Sequence, residues 1–483
     1  MRDRYDLVVL GGGTGGLVSA LIAAGAGASV ALVERARPGG DCLWTGCVPS
    51  KSLLAAAELA HRMRRADAVG LGVVEPRVDF AAVMERVDRA RATIEPQDSA
   101  DRLRRDGVDV IEGDGRFEDR GALSVDGRIL RFRKAIIATG AEPTQPPIPG
   151  LEAIPALTSE NLWELRTLPQ RLMVLGGGPI GCELAQGFAR LGSAVTQVEM
   201  APRLLLKEEP RASELVAEHL RNDGVTVCVD TRALSVKGGD GGSGHLAVRH
   251  GDEDRTIDFD RLLVATGRTP RTEGLNLEGV GVRTDQRGAV IVNGRLRTTA
   301  RHIYAVGDVT AALPFTHVAA YHARIAVVNA LFAGRRSVRY DAVPWVTFTD
   351  PEVGRVGMTE QEARDRWGDR VVTTSFEYSE LDRAITAGVP YGFAKLVGHG
   401  KGRLVGATVA AVGGGEAIAE LSAWISTRAR IDRVSQNVHA YPTFAEGPAR
   451  AADQYLRTKL ARPRMQALTK AVLRVLRALD SAS

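Results

Sequence analysis

Cysteine is scarce in this sequence. Four cysteines among 483 residues are too few for the disulfide framework of a secreted protein. Yet Cys42 and Cys47 stand five positions apart in the stretch GGDCLWTGCVPSK, which begins at Gly39. Such a pair indicates a structural disulfide, half of a metal site or a reactive disulfide. No histidine or further cysteine lies within ten residues of it, which disfavours a metal site.

Long hydrophobic runs and a strong excess of one charge are also missing. No charged residue falls between Leu7 and Val33, but seven glycines interrupt that segment. It therefore predicts neither a signal peptide nor a membrane span, and we expect a cytoplasmic protein. The net charge of +5, from 63 basic and 58 acidic residues, is mild, so nucleic acid is not an expected partner.

The glycines near the start of the chain form a dinucleotide-binding pattern. DLVVLGGGTGGLVSALIAAGAGASVALVE predicts a buried strand, a glycine-rich turn, a helix and a second strand that ends at Glu34. Gly11, Gly13 and Gly16 fit G-x-G-x-x-G, in which the glycines allow a tight turn, approach of a pyrophosphate and close helix packing. Glu34 is placed to accept hydrogen bonds from a ribose.

The same pattern occurs a second time. In RLMVLGGGPIGCELAQGFARLGSAVTQVE, Gly176, Gly178 and Gly181 take the corresponding positions and Glu199 follows the second strand. A chain with two such units can bind two dinucleotides, and a duplicated fold with one inactive site is the alternative. A carboxylate at Glu199 repels a 2′-phosphate, so NADH is favoured over NADPH, although the nearby Arg203 keeps NADPH open.

Two strands that end in Ala-Thr-Gly complete these units. KAIIATGAEP (134–143) and RLLVATGRTP (261–270) each predict a hydrophobic strand that closes one nucleotide-binding unit. We therefore place Thr139, Gly140 and Gly267 among the cofactor-binding residues. A further strand in HIYAVGDV leads to Asp308.

The cysteine stretch carries a family resemblance. It fills the pattern G-G-x-C-x-x-x-x-C-x-P-S-K with Gly39, Gly40, Cys42, Cys47, Pro49, Ser50 and Lys51. Over roughly residues 4–460 the sequence resembles the class I pyridine nucleotide–disulfide oxidoreductases, the family of dihydrolipoamide dehydrogenase, glutathione reductase and mercuric reductase. GGDCLWTGC and GGGPIGCELAQ are most similar to the mercuric-reductase-like branch.

The resemblance implies an α/β fold with two Rossmann-like dinucleotide-binding domains and a C-terminal α+β dimerisation domain. FAD is expected on the first glycine pattern, NAD(P)H on the second, and the protein is expected to be a homodimer. We expect the FAD-binding domain in residues 1–148 and 270–337, the NAD(P)-binding domain in 149–269, the dimerisation domain in 338–460 and a basic amphipathic tail in 461–483.

The resemblance also implies roles around the flavin. It places Asp308 on the ribityl chain, Lys51 near the reactive ring nitrogen and Glu183 as the ion-pair partner of Lys51. A buried ammonium group needs such a counter-charge, and a cation beside the flavin stabilises the reduced ring.

The two cysteines receive different roles from the same resemblance. Cys47 takes electrons from the reduced flavin and remains a thiolate, whereas Cys42 is the exposed thiol that attacks the substrate. A helix expected to start near Pro49 would lower the pKa of Cys47. Cys182 and Cys228 are predicted to be small buried residues.

One segment departs from the family pattern. The disulfide reductases carry His-Pro-Thr followed by a glutamate, and this segment reaches the cysteines of the other subunit. Here the segment is HAYPTFAE, so Tyr441 precedes the proline, Glu446 is retained and His439 lies two residues upstream of Tyr441. Tyrosine has a reference pKa of about 10 against about 6.5 for histidine. Tyr441 can donate a proton but is a poor base, which disfavours ordinary dithiol–disulfide exchange.

The electron acceptor stays open at this point. A tyrosine at this position is similar to the mercuric reductases, but the tail lacks their further cysteine pair. Three acceptors fit the sequence: a small or protein disulfide, a soft metal ion bound by two thiolates, and a quinone-type acceptor that needs only the flavin. A redox-responsive flavoprotein that binds a partner without turnover is a fourth reading.

The tail has an amphipathic pattern. Its apolar stripe consists of Met465, Leu468, Val472, Val475, Leu476 and Leu479, and its opposite face carries Lys470, Arg474 and Arg477. We expect this helix to dock on its own protein or on the dimer partner. Contact with an anionic membrane surface is the alternative.

Overall fold

A computed structural model describes residues 4–481 of the chain. The chain forms two compact units. The first comprises the chain up to Arg65, Val73–Leu204 and Leu220–Val338, and the second comprises Ala66–Gly72, Leu205–His219 and the chain from Arg339 onwards.

The helices and strands follow in chain order. Residues 4–143 contain β1 (Arg4–Leu10), α1 (Thr14–Gly25), β2 (Val30–Glu34), α2 (Gly40–Trp44), α3 (Cys47–Arg64), α4 (Phe80–Asp98), α5 (Ala100–Arg105), β3 (Val108–Glu112), β4 (Gly115–Asp119), β5 (Ala122–Val125), β6 (Arg128–Ile137) and β7 (Ala141–Pro143). Residues 171–331 contain β8 (Arg171–Leu175), α6 (Pro179–Leu191), β9 (Ala194–Val198), α7 (Pro210–Asn222), β10 (Thr226–Cys228), β11 (Thr231–Gly238), β12 (Gly244–His250), β13 (Glu253–Phe259), β14 (Arg261–Val264), β15 (Arg268–Pro270), β16 (Ile303–Ala305) and α8 (Thr316–Leu331). Residues 344–480 contain β17 (Pro344–Thr347), β18 (Glu352–Gly357), α9 (Glu360–Trp367), β19 (Val371–Glu377), α10 (Asp382–Thr386), β20 (Phe393–His399), β21 (Arg403–Ala411), α11 (Gly414–Ser426), α12 (Ile431–Gln436), α13 (Glu446–Leu460) and α14 (Pro463–Asp480).

The first unit is built around a seven-stranded sheet. Its strand order is β3-β2-β1-β6-β5-β4, and β16 pairs in parallel with the end of β6. Leu7 and Val9 of β1 pack in the cluster on one face, while Val8 and Leu10 pack in the cluster on the other. Parallel strands covered on both faces have continuous apolar runs, which is the pattern seen in the sequence.

A second parallel sheet in this unit has the order β10-β9-β8-β14. The two βα units that carry the glycine patterns therefore have the same design. One glycine loop joins β1 to α1, and the other joins β8 to α6. The strands predicted in KAIIATGAEP and RLLVATGRTP are β6 and β14. Each continues into a short strand, and these two strands, β7 and β15, pair with each other. An antiparallel sheet of β11, β12 and β13 completes the unit.

The second unit contains a five-stranded antiparallel sheet of order β17-β18-β21-β20-β19. Its core joins inward residues of these strands to α11, α12 and α13. Helix α9 begins with a capping box, because Thr359 accepts from the N–H of Glu362 and the Glu362 carboxylate accepts in return. The predicted mixed α/β fold class is confirmed. Across residues 4–481, no helix is both long and apolar enough to cross a membrane.

Candidate functional site

The two nearby cysteines lie at the junction of two helices. Cys42 belongs to the short helix α2, and Cys47 is the first residue of α3. The helix expected near Pro49 thus begins two residues earlier, after the non-helical Gly46. Cys47 consequently sits in the first helical turn, where backbone N–H groups lack intrahelical partners and favour a negative charge.

The pKa values of the two thiols diverge. Both cysteines are free thiols. Interaction with the Cys42 thiol outweighs burial and, with Thr316 and Lys51, lowers the pKa of Cys47 to about 6. Interaction with Cys47, together with burial, raises the pKa of Cys42. At neutral pH the negative charge therefore rests on Cys47 and the proton on Cys42.

The surroundings of the two residues differ. Helix α2, which carries Cys42, packs against α3 and α4, and Cys42 is half-buried. Cys47 is the first residue of α3 and is exposed within the protein chain alone. The roles that the resemblance implies for the two thiols stay predictions.

Thr316 is a site residue that the sequence analysis missed. Its Oγ1 lies 3.3 Å from the Sγ of Cys47, and it is the first residue of α8. The two positions are 269 residues apart, so no local pattern connects them. The only available signal was a hydroxyl residue at the start of the helix that follows HIYAVGDV.

An ion pair lies one turn along α3 from Cys47. The Nζ of Lys51 is 2.7 Å from Oε2 of Glu183 on α6, and the Glu183 side chain is almost fully buried. Lys51 follows Cys47 by four positions and therefore lies on the same helix face. The charge of Lys51 lowers the pKa of Cys47 and that of Glu183 raises it.

The other ends of α3 and α6 share a buried carboxylate. Asp223 accepts from Nε of Arg190 at 2.9 Å and lies 2.9 Å from Nδ1 of His61. Burial alone would raise the pKa of Asp223, but His61, Arg190 and Gln186 together lower it. This contact ties the helix of Cys47 and Lys51 to the helix of Glu183.

The first glycine pattern fits a dinucleotide. A Cβ at Gly11 would meet the Ala138 carbonyl oxygen at 2.4 Å, and a Cβ at Gly16 would meet the Gly11 oxygen at 1.8 Å. Gly13 has an ordinary extended backbone, and its Cβ would meet nothing closer than 3.8 Å in the described chain. The protein's own packing therefore requires the first and third glycines but not the second, which leaves room for a ligand's phosphates beside the α1 N-terminus.

The second pattern repeats this arrangement. A Cβ at Gly176 would lie 2.4 Å from the Ala265 oxygen, and one at Gly181 would lie 2.2 Å from the Gly176 oxygen. At Gly178 no atom of residues 4–481 would come within 4 Å of a Cβ. The residues of both loops thus fit the approach of a pyrophosphate.

The two acidic residues close the loops. Oε2 of Glu34 accepts from the Gly12 N–H at 2.5 Å, and Oε2 of Glu199 accepts from the Gly177 N–H at 2.5 Å. Each carboxylate also accepts from the amide two residues further on. The sequence predicts that both carboxylates face a ribose, and the structure adds that they hold the glycine turns. A carboxylate has about four acceptor positions, so both functions are compatible.

The remaining predicted cofactor residues follow the ends of strands, in loops or in a short 3₁₀ helix. Thr139 donates to the Arg271 carbonyl at 2.6 Å. Gly140, at φ +72°, and Gly267, at φ +149°, make turns that bulkier residues disfavour. Burial raises the pKa of Asp308, which lies in the short 3₁₀ helix after β16.

The three predicted residues of the C-terminal segment each have a partner within the chain. Nε2 of His439 lies 2.8 Å from Glu420, and the hydroxyl of Tyr441 donates to Asp382 at 2.9 Å. Glu446 accepts from the Thr443 N–H at 3.2 Å. The sequence pattern identified none of these contacts, and the expected approach of this segment to the cysteines of a partner subunit stays a prediction.

Tyr441 is held in its protonated form. The hydrogen bond to Asp382 and the charge of that carboxylate raise the pKa of Tyr441 above its usual value. The side chain is 66% exposed, but its one O–H already donates to Asp382, and it is not a base at neutral pH.

Comparisons with known proteins agree on the family. Residues 5–323 match the family described as pyridine nucleotide-disulphide oxidoreductase, and residues 343–452 match its dimerisation domain. The chain is 38% identical to a mercuric reductase of Streptomyces lividans, over 93% of this chain and 96% of that one. It is 36% identical to a dihydrolipoyl dehydrogenase of Thermus scotoductus, over 93% and 97%.

A solved structure supports the same assignment. The Cu(II) complex of the HOCl-induced flavoprotein disulfide reductase RclA from Escherichia coli is 29% identical to this chain, with a TM-score of 0.82, over 94% of this chain and 100% of that one. The resemblance stated from the sequence is confirmed.

Proposed function

Because the chain belongs to the pyridine nucleotide-disulphide oxidoreductase family, whose members use FAD and NAD(P)H, we propose that it oxidises NADH and passes two electrons through Cys42 and Cys47 to a soft metal ion. The match to the dimerisation domain supports a homodimer. The observation that carries the proposal is the position of Cys47 at the start of α3, one helical turn from Lys51 and 3.3 Å from Oγ1 of Thr316, which together with Cys42 lower the pKa of its thiol.

Different residues of this chain would hold the two cofactors and adjust the charge around the flavin. Bound FAD would supply the chemistry that links hydride donation by NADH to reduction of a disulfide. Lys51 would supply positive charge beside the flavin and is held by Glu183. The Gly11 and Gly176 loops would hold the two pyrophosphates, and Asp308 would hold the ribityl chain.

NADH is the proposed electron donor. Glu199 lies directly after β9 and holds the Gly177 turn with its carboxylate. A carboxylate at this position repels a 2′-phosphate and accepts from a free 2′-hydroxyl. The neighbouring Arg203 is the feature that would permit NADPH, so the two donors should be compared directly.

A soft metal ion is favoured because the site supplies thiols while the predicted acid–base residues are occupied. Tyr441 stays protonated, and His439 is engaged by Glu420. Thiolates bind soft metal ions without proton transfer from a substrate thiol. Several similar proteins are named mercuric reductases, and a similar structure is a Cu(II) complex. One NADH would reduce one Hg²⁺ to Hg⁰ or two Cu²⁺ to Cu⁺, with release of one proton.

A disulfide substrate is the second candidate. The similar RclA is named a flavoprotein disulfide reductase, and Tyr441 can donate a proton to a leaving thiolate. A disulfide would be reduced to two thiols by one NADH and one proton. Two further candidates are reduction of a quinone by the flavin alone, without the cysteines, and a flavoprotein that does not turn over.

The decisive experiment is an anaerobic NADH titration of the purified flavoprotein, followed by its visible spectrum. We expect a long-wavelength charge-transfer band in the wild-type protein that is missing from Cys47→Ser and retained in the control Cys182→Ser. Steady NADH oxidation with Hg²⁺ or Cu²⁺ should be lost in Cys42→Ser and Cys47→Ser.

Different results would contradict the proposal. Bleaching without the band in the wild-type protein would exclude a role for the cysteines and favour a quinone. Turnover with glutathione disulfide or lipoamide but not with metal ions would exclude the metal acceptor. The absence of NADH oxidation with every acceptor would favour a protein that does not turn over.

A further inference from the structure

The C-terminal helix α14 is exposed at every residue except Met465, which has intermediate exposure. None of its residues is buried, although the preceding α13 buries Glu446, Gly447, Pro448, Ala451 and Ala452. The expected docking of this helix on its own chain is therefore not seen, and docking on a dimer partner stays a prediction. Five residues of the apolar stripe, Leu468, Val472, Val475, Leu476 and Leu479, are between 48% and 62% exposed.

The stripe is continuous because of its spacing. Its positions recur at intervals of three and four residues, which places them on one side of an α-helix. Lys470, Arg474 and Arg477 share the opposite side by the same spacing. The helix starts at Pro463, after an extended Arg462 that separates it from α13.

The net positive charge of the chain lies in this segment. From Arg457 onwards there are seven basic residues and one acidic residue, while the rest of the chain holds 56 basic and 57 acidic residues. The excess of +5 is thus concentrated in and just before α14 and not distributed over the folded units. The match to the family's dimerisation domain ends at residue 452, before this charged segment begins.

We propose that α14 is a surface anchor that binds the protein to an anionic lipid membrane, with its apolar stripe in the acyl boundary and its basic residues among the headgroups. An apolar face opposite a basic face, without the length of apolar sequence needed to span, is the pattern of helices that lie in a membrane interface. Long basic side chains can extend to the headgroup level.

The charge distribution argues against two other occupants. A second copy would bring the same basic helix, and the rest of that copy has a net charge near zero, so it offers no net acidic complement. Nucleic acid would satisfy the basic face but would leave the apolar stripe in water. An anionic lipid surface would bury the apolar stripe and also bring negative charge to the basic residues.

The test uses the full-length flavoprotein in vesicle co-sedimentation. We expect binding to vesicles of phosphatidylcholine and phosphatidylglycerol mixed at about two to one, little binding to phosphatidylcholine alone, and release as salt rises. The triple variant Lys470→Gln/Arg474→Gln/Arg477→Gln should bind on the order of 100-fold more weakly, since each basic residue near the surface contributes roughly fivefold. Val472→Glu/Leu476→Glu should abolish binding.

Two controls separate the helix from general effects. Arg287→Gln/Arg335→Gln/Lys401→Gln removes three charges at exposed positions outside α14 and should bind vesicles like the wild-type protein. Ile129→Glu adds a charge at a residue of β6 that is 46% exposed and should also leave binding unchanged. All variants should retain the flavin spectrum and NADH oxidation.

Several results would overturn the proposal. Equal binding to neutral and anionic vesicles, or an equal loss in the control triple variant, would exclude recognition by this helix. If vesicles are not bound and Val472→Glu/Leu476→Glu changes the sedimentation coefficient from dimer to monomer, α14 is a subunit contact. Binding of duplex DNA in place of vesicles would identify the basic face as a nucleic-acid site.

Discussion

The hydroxyl of Thr316 lies 3.3 Å from the sulfur of Cys47, although 269 residues separate them in sequence. A hydroxyl that donates to a thiolate stabilises the charged form, and this contact lowers the pKa of Cys47. Helix α8 thereby contributes to the charge on the redox pair from a distant part of the chain.

Thr316→Val should raise the pKa of Cys47 from about 6 because the thiolate loses a donor. A rise of about one unit would lower the thiolate fraction at pH 7 from about 90% to about 50%. This pKa can be measured from the pH dependence of iodoacetamide alkylation in the reduced protein. Fragment-ion mass spectrometry identifies the modification at Cys47.

The matched variant Thr316→Ser keeps the hydroxyl and should leave the alkylation profile near that of the wild-type protein. Thr299→Val removes a hydroxyl that donates to the Gly281 carbonyl and serves as the distant control. An unchanged profile in Thr316→Val would show that the hydroxyl does not stabilise the thiolate.

Substitutions of Lys51 and Glu183 should move the pKa of Cys47 in opposite directions. The positive charge of Lys51 lowers that pKa and the negative charge of Glu183 raises it. Lys51→Met should therefore shift the alkylation profile of Cys47 to higher pH, and Glu183→Gln should shift it to lower pH. Shifts of the same sign in both variants would indicate a change of local structure instead of a charge effect. Lys401→Met, at an exposed surface position, is the control.

Asp382→Asn should lower the pKa of Tyr441 toward the usual tyrosine value. The Asp382 carboxylate accepts from the phenol at 2.9 Å and its charge opposes ionisation, and both effects raise the pKa. An alkaline titration of phenolate absorbance measures the shift, with Tyr441→Phe used to assign the signal. If Asp382→Asn and the wild-type protein titrate alike at Tyr441, the contact has no influence on its protonation.

The sequence was sufficient to predict those site residues whose role depends on a local pattern. Gly11, Gly16, Gly176 and Gly181 could be placed because a tight turn and close helix packing require glycine at fixed spacing, and the packing distances agree. Lys51 and Glu183 required the family resemblance, since nothing local connects residues 132 positions apart.

Contacts made by tertiary packing could not be predicted in this way. Thr316 and Asp382 belong to elements remote in sequence from Cys47 and Tyr441. The loop-closing hydrogen bonds of Glu34 and Glu199 depend on side-chain direction, which a pattern of glycines does not encode. Likewise, the sequence shows that α14 is amphipathic, but only the structure shows that none of its residues is buried.

Cys182 should be unreactive in the folded protein. Its side chain is completely buried in α6, and burial raises the pKa of its thiol to about 12. Because the thiolate is the nucleophile, iodoacetamide at pH 8 should modify Cys47 of the reduced protein and spare Cys182 until the protein is unfolded. Mass spectrometry of both peptides, with and without denaturant, tests this. Comparable modification of both residues in the native protein would contradict the burial assigned to Cys182.

Asp223→Asn should destabilise the first unit. Arg190 and Asp223 are 5% and 4% exposed, with 2.9 Å between the arginine Nε and the carboxylate, and His61 contacts the other oxygen. Removal of one partner's charge from a buried ion pair costs about 3 kcal/mol, so the melting temperature should fall by about 5 °C at pH 7. Thermal unfolding followed by circular dichroism measures this fall. Asp260→Asn breaks a far more exposed pair with Arg171 and should lower the melting temperature much less.

The destabilisation caused by Asp223→Asn should depend on pH in a defined direction. The pKa of Asp223 is lowered in the folded protein, so its contribution to stability is present above the unfolded-state pKa of about 3.9 and is lost as pH falls through the lower folded value. The difference in melting temperature between wild-type protein and Asp223→Asn should thus be full at pH 7 and should shrink below about pH 4. A difference that instead grows as the pH falls below about 4 would show that the carboxylate is not the stabilising form, and that α3 and α6 are held together without it.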